Sequence, residues 1–120
     1  MICIKEFEFD AAHYLPNYHG KCEHLHGQTY KLVVKVEGTP DQEGMVLDFV
    51  QFKRTVKELV VDKLDHTCLN DLLPQPSAEH ISVWVWQQLE KPLTGPNYHL
   101  AEVEVWETKT SGIVYRGETC

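Results

Sequence analysis

The sequence predicts an α+β fold in which an antiparallel sheet carries two helices on one of its faces. Three segments, at 2–13, 28–37 and 98–107, alternate apolar and polar residues, and a short strand-like segment follows at 113–116. Two further segments, at 48–64 and 78–90, repeat apolar residues at helical spacing. The predicted order along the chain is therefore β-β-α-α-β-β.

The parity of each strand identifies the side that faces the core, because side chains two apart on an extended chain point the same way. In the first strand the apolar odd positions are continued by His13, and in the second strand the even positions face the core. In the third strand the odd positions are predicted to do so. These positions are Phe7, Phe9 and Ala11, then Tyr30, Leu32, Val34 and Val36, then Ala101, Val103, Val105 and Glu107.

A capping residue precedes each predicted helix. Asp48, with Gln51 three residues later, has the spacing of a capping box, and Ser77 can cap the second helix. Pro92 and Gly95 end that helix. The apolar stripes are Phe49, Phe52, Val56, Leu59, Val60 and Leu64 in the first helix, and Ile81, Trp84, Val85 and Leu89 in the second.

Length and composition exclude several classes of protein. A chain of 120 residues corresponds to one domain, residues 1–120. The formal charge of −7, without clustered Lys and Arg, argues against a nucleic-acid partner. No segment reaches the ~18 consecutive apolar residues of a membrane span, and the alternating N-terminus does not resemble a signal peptide. We therefore expect a cytoplasmic protein with no membrane partner and with reduced cysteines.

The segment CEHLHGQ at 22–28 carries the strongest chemical signal. His24, His26 and Gln28 share the core-facing parity of the second strand, provided that Gly27 does not bend the chain. A neighbouring strand that brings His13 alongside would gather several imidazoles around one point. Imidazole ligands favour Zn²⁺, and three protein ligands leave a position open for substrate, as in catalytic zinc sites.

Three further groups each have a functional and a structural interpretation. Cys22 is either a thiolate base or a fourth zinc ligand, or else a buried apolar residue. Asp65 and His66 form either an acid/base pair, in which the carboxylate orients the imidazole, or a solvated helix end. Glu107, on the apolar face of its strand, pairs either with a cation of the protein or with the N–H groups of a flat heterocycle.

Several spaced motifs together resemble the 6-pyruvoyltetrahydropterin synthase and 6-carboxytetrahydropterin synthase family, in order and over nearly the whole chain. The segment at 22–28 is similar to the family's Cys-x-x-x-His-Gly-His element. The other matching segments are FDAAH at 9–13, VLDF at 46–49, LDHTCLN at 64–70, PSAE at 76–79, VWET at 105–108 and YRGE at 115–118.

This resemblance implies the tunnelling fold, in which trimers close a β-barrel, usually pair into hexamers, and form active sites at subunit interfaces. It implies 7,8-dihydroneopterin triphosphate as substrate and Zn²⁺ as cofactor. Cys22 would be the base, Asp65 and His66 an acid/base pair from a neighbouring subunit, and Glu107 the pterin anchor. Short bacterial-type chains of this kind mostly resemble the carboxy enzymes, which release acetaldehyde and triphosphate on the route to queuosine.

The chain departs from the family pattern at Gln28, where the family has a zinc histidine. His24 can replace it from two residues earlier, Gln28 can coordinate weakly or through water, or the site can hold another metal or none. His13 and His26 remain the other expected ligands. The cations that would hold the triphosphate are equally open among Lys21, Lys53, Lys109 and Arg116.

Three functions are consistent with these residues. The first is a zinc-dependent 6-carboxy-5,6,7,8-tetrahydropterin synthase, and the second is a 6-pyruvoyltetrahydropterin synthase that eliminates triphosphate. The third, suggested by Gln28, is a non-catalytic homologue that has kept the pterin pocket.

Overall fold

The computed structural model describes residues 1–14 and 26–118, and of His26 it describes the backbone alone. Cys22, His24, Lys21 and Cys120 therefore lie outside the described residues. The elements, in chain order, are β1 (Ile2–His13), β2 (His26–Gly38), α1 (Phe49–Val56), α2 (Asp62–Leu64), β3 (Thr67–Cys68), α3 (Ala78–Leu89), β4 (Tyr98–Trp106) and β5 (Gly112–Tyr115).

The sheet has the strand order β3-β1-β2-β4-β5. β1 and β2 form a long antiparallel pair, from Ile2 opposite Glu37 to His13 opposite His26. β4 and β5 continue the antiparallel pattern, whereas β3 runs parallel to β1. The prediction of a purely antiparallel sheet was wrong on this point, because two residues are too few to produce a recognisable alternation in the sequence.

One hydrophobic core lies between the helices and one face of the sheet, here called the core face. Its sheet side consists of the odd residues of β1 and the even residues of β2, as the alternation predicts. From the helices come Phe52, Val56, Val60, Leu64, Ile81, Val85 and Leu89. Phe49, predicted in the same stripe, is instead 53 % exposed because it is the first residue of α1, at the edge of the buried stripe.

Both predicted helix caps are present. Asp48 Oδ1 accepts a hydrogen bond from the Val50 N–H, and Ser77 Oγ accepts one from the His80 N–H. A wider π-helical turn, Lys57–Val61, joins α1 to α2, so the predicted helix over 48–64 is continuous but not uniformly α-helical. Such turns are single-turn irregularities that apolar spacing does not reveal.

A β-bulge in β4 changes which residues of that strand face the core, compared with the predicted alternation. Lys35 pairs with Glu102 and the next residue, Val36, pairs with Leu100, so Ala101 is the extra residue. Leu100 therefore faces the core before the bulge, and Val103 and Val105 face it afterwards. The prediction of Ala101 as a regular core-facing position was wrong.

The opposite face of the sheet, here called the outer face, is strongly charged. Lys35 Nζ lies 2.5 Å from Glu102 Oε2 and 2.8 Å from Glu104 Oε2. Arg116 Nε lies 3.0 Å from Glu102 Oε1, and the Trp106 indole N–H donates to Glu104 at 2.9 Å. Glu102 is only 7 % exposed, so its charge depends on these partners.

Within residues 1–14 and 26–118, none of the helices combines the length and the apolar character that crossing a membrane requires.

We predict that Lys35→Met lowers the free energy of unfolding by roughly 1–3 kcal/mol, since it removes the cation shared by the mostly buried carboxylates of Glu102 and Glu104. Hydrogen bonds from Lys35 to Glu102 and then to Glu104 raise the pKa of the ammonium above its ordinary 10.5. The stabilisation is therefore complete below pH 10.5 and is lost as the pH rises through the higher folded value. Urea unfolding of wild type and variant at equal protein concentration, at neutral and alkaline pH, measures both effects.

The matched control is Lys31→Met, because the Lys31–Glu6 pair is similar in length at 3.1 Å but half-exposed on both sides. Its loss should change the free energy of unfolding by no more than about 1 kcal/mol. Equal effects of the two substitutions would show that burial of the Lys35 cluster contributes nothing.

Candidate active site

His13, the last residue of β1, lies on the core face and is 1 % exposed. Its Nδ1 is 2.6 Å from the hydroxyl oxygen of Tyr30, which is itself completely buried. Tyr30 pairs with Phe9 across β1 and β2, and the two rings stack with centroids 4.9 Å apart. The alternation of both strands thus delivers an imidazole and a phenol to the same buried point.

Glu107 approaches His13 from β4. It follows the last residue of that strand, and its backbone N–H donates to the Ser111 carbonyl oxygen at 3.0 Å, which closes the turn into β5. Its Oε1 lies 3.9 Å from His13 Nε2, and its side chain is 30 % exposed. Glu107 therefore lies on the predicted side of the sheet, near His13 and partly exposed to solvent.

The beginning of β2 adds two further positions to this region. β2 starts at His26, so the chain is already extended through Gly27, as the sequence analysis required. His26 is paired with His13, and Gln28 is paired with Ala11. Residues directly opposite each other in an antiparallel pair place their side chains on the same face.

A zinc ion fits part of this arrangement. The Nδ1 of His13 is hydrogen-bonded, which leaves Nε2 as a metal-binding nitrogen with its ring orientation fixed, as is usual for histidine ligands. The backbone of His26 is paired with that of His13. Gln28 is a poorer candidate, because amide oxygens are rare zinc ligands. Among the described residues its buried Nε2 has no hydrogen-bond partner, so this amide is not held by the fold.

Asp65 and His66 form a second cluster, at the loop between α2 and β3. Asp65 Oδ2 lies 3.0 Å from His66 Nδ1, so the adjacent side chains do contact each other. The backbone of Asp10 holds both residues: its N–H donates to Asp65 Oδ1 at 2.9 Å, and its carbonyl oxygen accepts from the His66 N–H at 2.5 Å. His66 has a φ of 58°, a left-handed conformation that is uncommon for a residue with a side chain.

The electrostatics of this loop keep Asp65 ionised. The hydrogen bond from the Asp10 N–H, followed by those from His66, lowers the pKa of the Asp65 carboxyl below its ordinary 3.8. A carboxylate that remains charged beside an exposed imidazole can orient that imidazole through a hydrogen bond. The side chains of Asp65 and His66 are therefore in contact, on a backbone that Asp10 holds in place.

Asp10 and Thr29 extend the second cluster along the outer face. The Thr29 hydroxyl donates to Asp10 Oδ1 at 2.5 Å. One ligand atom from each of Asp10, Asp65 and His66 lies within 4.8 Å of the others. A shallow cavity of about 520 Å³ lies over this group, with Ala12, Gly27 and Cys68 among its lining residues. The cluster is thus accessible to a ligand from outside the chain.

The two clusters lie on different faces of β1. His13 is an odd residue on the core face, whereas Asp10 is an even residue on the outer face. Because side chains of opposite parity point in opposite directions, the Asp65–His66 pair of one chain is not directed towards the His13–Glu107 region of the same chain.

The candidate phosphate-binding cations are distributed over the surface. Lys53 lies on α1 beside Arg54 and Lys57, and Arg116 pairs with Glu102. Lys109, in the turn after Glu107, lines a cavity of about 450 Å³ together with Lys31, Trp106 and Thr108. Of the candidates among the described residues, Lys109 is thus the one that follows directly on the Glu107 strand end.

Sequence reasoning assigned Tyr30 to the core and gave Asp10 no separate role. The hydroxyl of Tyr30 was a usable signal, because a buried tyrosine hydroxyl usually has a hydrogen-bond partner. No comparable signal exists for Asp10, which acts on the second cluster through its backbone.

Comparisons with known proteins agree with this fold over nearly the whole chain. A relative named 6-carboxy-5,6,7,8-tetrahydropterin synthase, from Synechocystis sp., is 40% identical over 121 residues, covering 95% of this chain and 92% of the relative. A relative named dihydroneopterin monophosphate aldolase, from Pyrococcus furiosus, is 37% identical over 110 residues, covering 92% of each.

The structure of 6-pyruvoyl tetrahydropterin synthase from Caenorhabditis elegans superposes with a TM-score of 0.87 and 26% sequence identity, over 98% of this chain and 96% of that one. The family profile described as 6-pyruvoyl tetrahydropterin synthase matches residues 2–118. With a match of this extent, the chain belongs to the 6-pyruvoyl tetrahydropterin synthase family.

Proposed function

We propose that this protein is a zinc-dependent 6-carboxy-5,6,7,8-tetrahydropterin synthase. It converts 7,8-dihydroneopterin triphosphate, with release of acetaldehyde and triphosphate, in the cytoplasmic route to queuosine. The 40% identity to the Synechocystis 6-carboxy enzyme over 95% of the chain favours this member of the family. In this proposal residues 1–120 form one domain, and that domain carries the activity.

The observation that carries the proposal is the approach of Glu107 to His13, at 3.9 Å. A carboxylate can accept two parallel hydrogen bonds from the amino group and ring N–H of a pterin. Held in this way, the pterin would place its side chain towards Nε2 of His13. Substrate anchor and metal site are then adjacent, as a reaction on the side-chain hydroxyls requires.

His13 and His26 would hold the zinc ion, with the third place taken by His24 or Gln28. Bound zinc supplies Lewis acidity, which lowers the pKa of substrate hydroxyls. The protein residues contribute the position of the ion: Tyr30 fixes the His13 ring, and the β1–β2 pairing sets His26 opposite it.

Proton transfer is assigned to Cys22 as the base and to Asp65 with His66 as the acid/base pair. Because the Asp65–His66 pair lies on the face of β1 opposite to His13, we assign it to the active site of a neighbouring subunit. The fixed loop and the ionised carboxylate of Asp65 would orient the imidazole for that role.

A homo-oligomer that closes the sheets into a barrel would complete these shared sites. Among the described strands, β1 has a strand beyond it only at Ala11 and Ala12, and β5 ends the sheet. Ile2, Ile4 and Val114, on these two strands, are 51 %, 50 % and 44 % exposed. Unpaired edges with exposed apolar side chains are stabilised by pairing with another copy.

The likeness to the Caenorhabditis elegans 6-pyruvoyl tetrahydropterin synthase favours the second candidate, the elimination of triphosphate. The Gln28 substitution is the observation that favours the third, a pterin-binding homologue without catalysis. The fold and the Glu107–His13 geometry are compatible with all three, so the reaction product distinguishes them.

Zinc-loaded protein incubated with 7,8-dihydroneopterin triphosphate should produce acetaldehyde and a 6-carboxy product, identified by mass spectrometry. A 6-pyruvoyl product would establish the second candidate. Release of the two terminal side-chain carbons as glycolaldehyde triphosphate would indicate an aldolase reaction, the class of reaction named for the Pyrococcus relative. Repeated absence of turnover, with zinc and pterin both bound, would leave only the non-catalytic homologue.

Protein purified with zinc should carry close to one ion per chain, and His13→Ala should lose it. We expect His24→Ala also to lose most of the zinc and Gln28→Ala to retain it, because imidazole is the stronger ligand. Elemental analysis after dialysis gives the metal content. The matched control is His99→Ala, which removes an exposed imidazole paired with Glu37 on the sheet surface.

Retention of zinc in His24→Ala and its loss in Gln28→Ala would assign the third ligand position to Gln28. Zinc retained in His13→Ala would exclude the proposed metal site altogether.

Cys22→Ala and His66→Ala should each lower turnover by roughly 10²–10⁴-fold while zinc is retained, since each removes a proton-transfer group. If the active site is shared between subunits, mixed oligomers of the two variants contain sites with both intact halves. Co-refolded or co-expressed mixtures should therefore regain part of the wild-type turnover.

The control is a mixture of Cys22→Ala with Cys22→Ala,His66→Ala, which contains no complete site and should stay inactive. Mixed oligomers of the single variants that remain as inactive as the parents would show that each site is built from one chain.

A further inference from the structure

Tyr30 is the only described residue that joins the hydrophobic core to the polar end of β1 through a buried hydroxyl. Its side chain is fully buried, its ring stacks on Phe9 with an interplanar angle of 9°, and its hydroxyl lies 2.6 Å from His13 Nδ1. The stacking fixes where the hydroxyl lies, and the hydrogen bond in turn fixes the rotation of the His13 ring.

The two nitrogens of His13 consequently have different surroundings. Nδ1 faces the phenol of Tyr30, and Nε2 faces the carboxylate of Glu107 at 3.9 Å. A neutral imidazole carries one proton, so one nitrogen donates and the other accepts. When Nδ1 donates to the Tyr30 oxygen, Nε2 presents a lone pair; when Tyr30 donates to Nδ1, Nε2–H points towards Glu107.

We propose that Tyr30 is a positioning residue, which holds the His13 ring in one orientation and selects the tautomer that presents the Nε2 lone pair to a cation. The inference deepens the proposed zinc function and rests on it for the identity of the cation. Tyr30 itself does not touch the ion or the substrate; it acts through His13 alone.

Packing by itself does not supply this selection. A phenylalanine at position 30 would preserve the stacking on Phe9 and the filled volume, but its ring offers His13 Nδ1 no oxygen. The Nδ1–H tautomer would then lose its acceptor, and the competing tautomer, directed towards Glu107, would become relatively more favourable.

The test compares Tyr30→Phe with wild type by two measurements. Nitrogen-15 NMR of the histidine rings reports the His13 tautomer in metal-free and zinc-loaded protein, and competition with a chromophoric chelator reports the dissociation constant for zinc. In metal-free protein we expect the hydrogen-bonded Nδ1–H tautomer in wild type and its replacement, in part or whole, by the Nε2–H tautomer in the variant. The affinity of the variant for zinc should fall roughly 10–100-fold, the usual effect of removing a partner of a metal-bound histidine.

Tyr115→Phe is the matched control. It also removes a hydroxyl with a short hydrogen bond, 2.6 Å to the Glu118 carbonyl oxygen, but on β5 beside Trp86. Its zinc affinity and the His13 signals should remain those of wild type. An equal loss of affinity in both variants would attribute the effect to general destabilisation and would overturn the proposal.

The proposal is also overturned if Tyr30→Phe binds zinc as tightly as wild type with the same His13 tautomer. Should Tyr30→Phe not fold, wild type alone decides: rapid averaging between the two His13 tautomers in the metal-free protein would exclude a fixed Nδ1–H. Wild type that binds no zinc removes the proposed function, and with it the tautomer selection. If wild type shows the proposed activity and Tyr30→Phe matches it in zinc affinity and in His13 tautomer, only this inference is overturned.

Discussion

The register of β1 against β2 is the constraint on which the remaining structure depends. The two strands pair without interruption from Ile2 opposite Glu37 to His13 opposite His26. A slip of one residue would turn every side chain of one strand to the other face. The apolar residues would then face water, and His13 would leave Tyr30. The burial of Phe9 against Tyr30 therefore stabilises the fold and the candidate site through the same contact.

β1 serves both clusters, one on each face. Its odd residues carry the core and end at His13, while the backbone of its even residue Asp10 holds the Asp65–His66 loop from the other side. One rigid strand thus fixes the relative position of two groups that cannot meet within a chain.

The α+β fold class, the three long strands, the short final strand, the caps and most of the core followed from local pattern, since alternation and helical spacing are properties of neighbouring residues. Phe49, Ala101 and β3 did not. The exposure of Phe49 depends on where the helix begins to contact the sheet. The bulge at Ala101 depends on pairing between distant strands, and β3 is too short to have a pattern. The Asp10 clamp uses backbone atoms, which any residue possesses and no sequence pattern marks.

The sequence by itself determined which chemical groups the protein has and which strand face His13, Gln28 and Glu107 occupy. It also determined the family, because the motifs keep their order along the chain. Only the tertiary structure decided that Tyr30 holds His13, that Glu107 approaches Nε2, and that Asp65 and His66 lie on the far face of β1. Those contacts join residues from 17 to 94 positions apart, as His13 is from Tyr30 and from Glu107. Contacts between residues so far apart along the chain are set by sheet register and core packing rather than by local conformational preference.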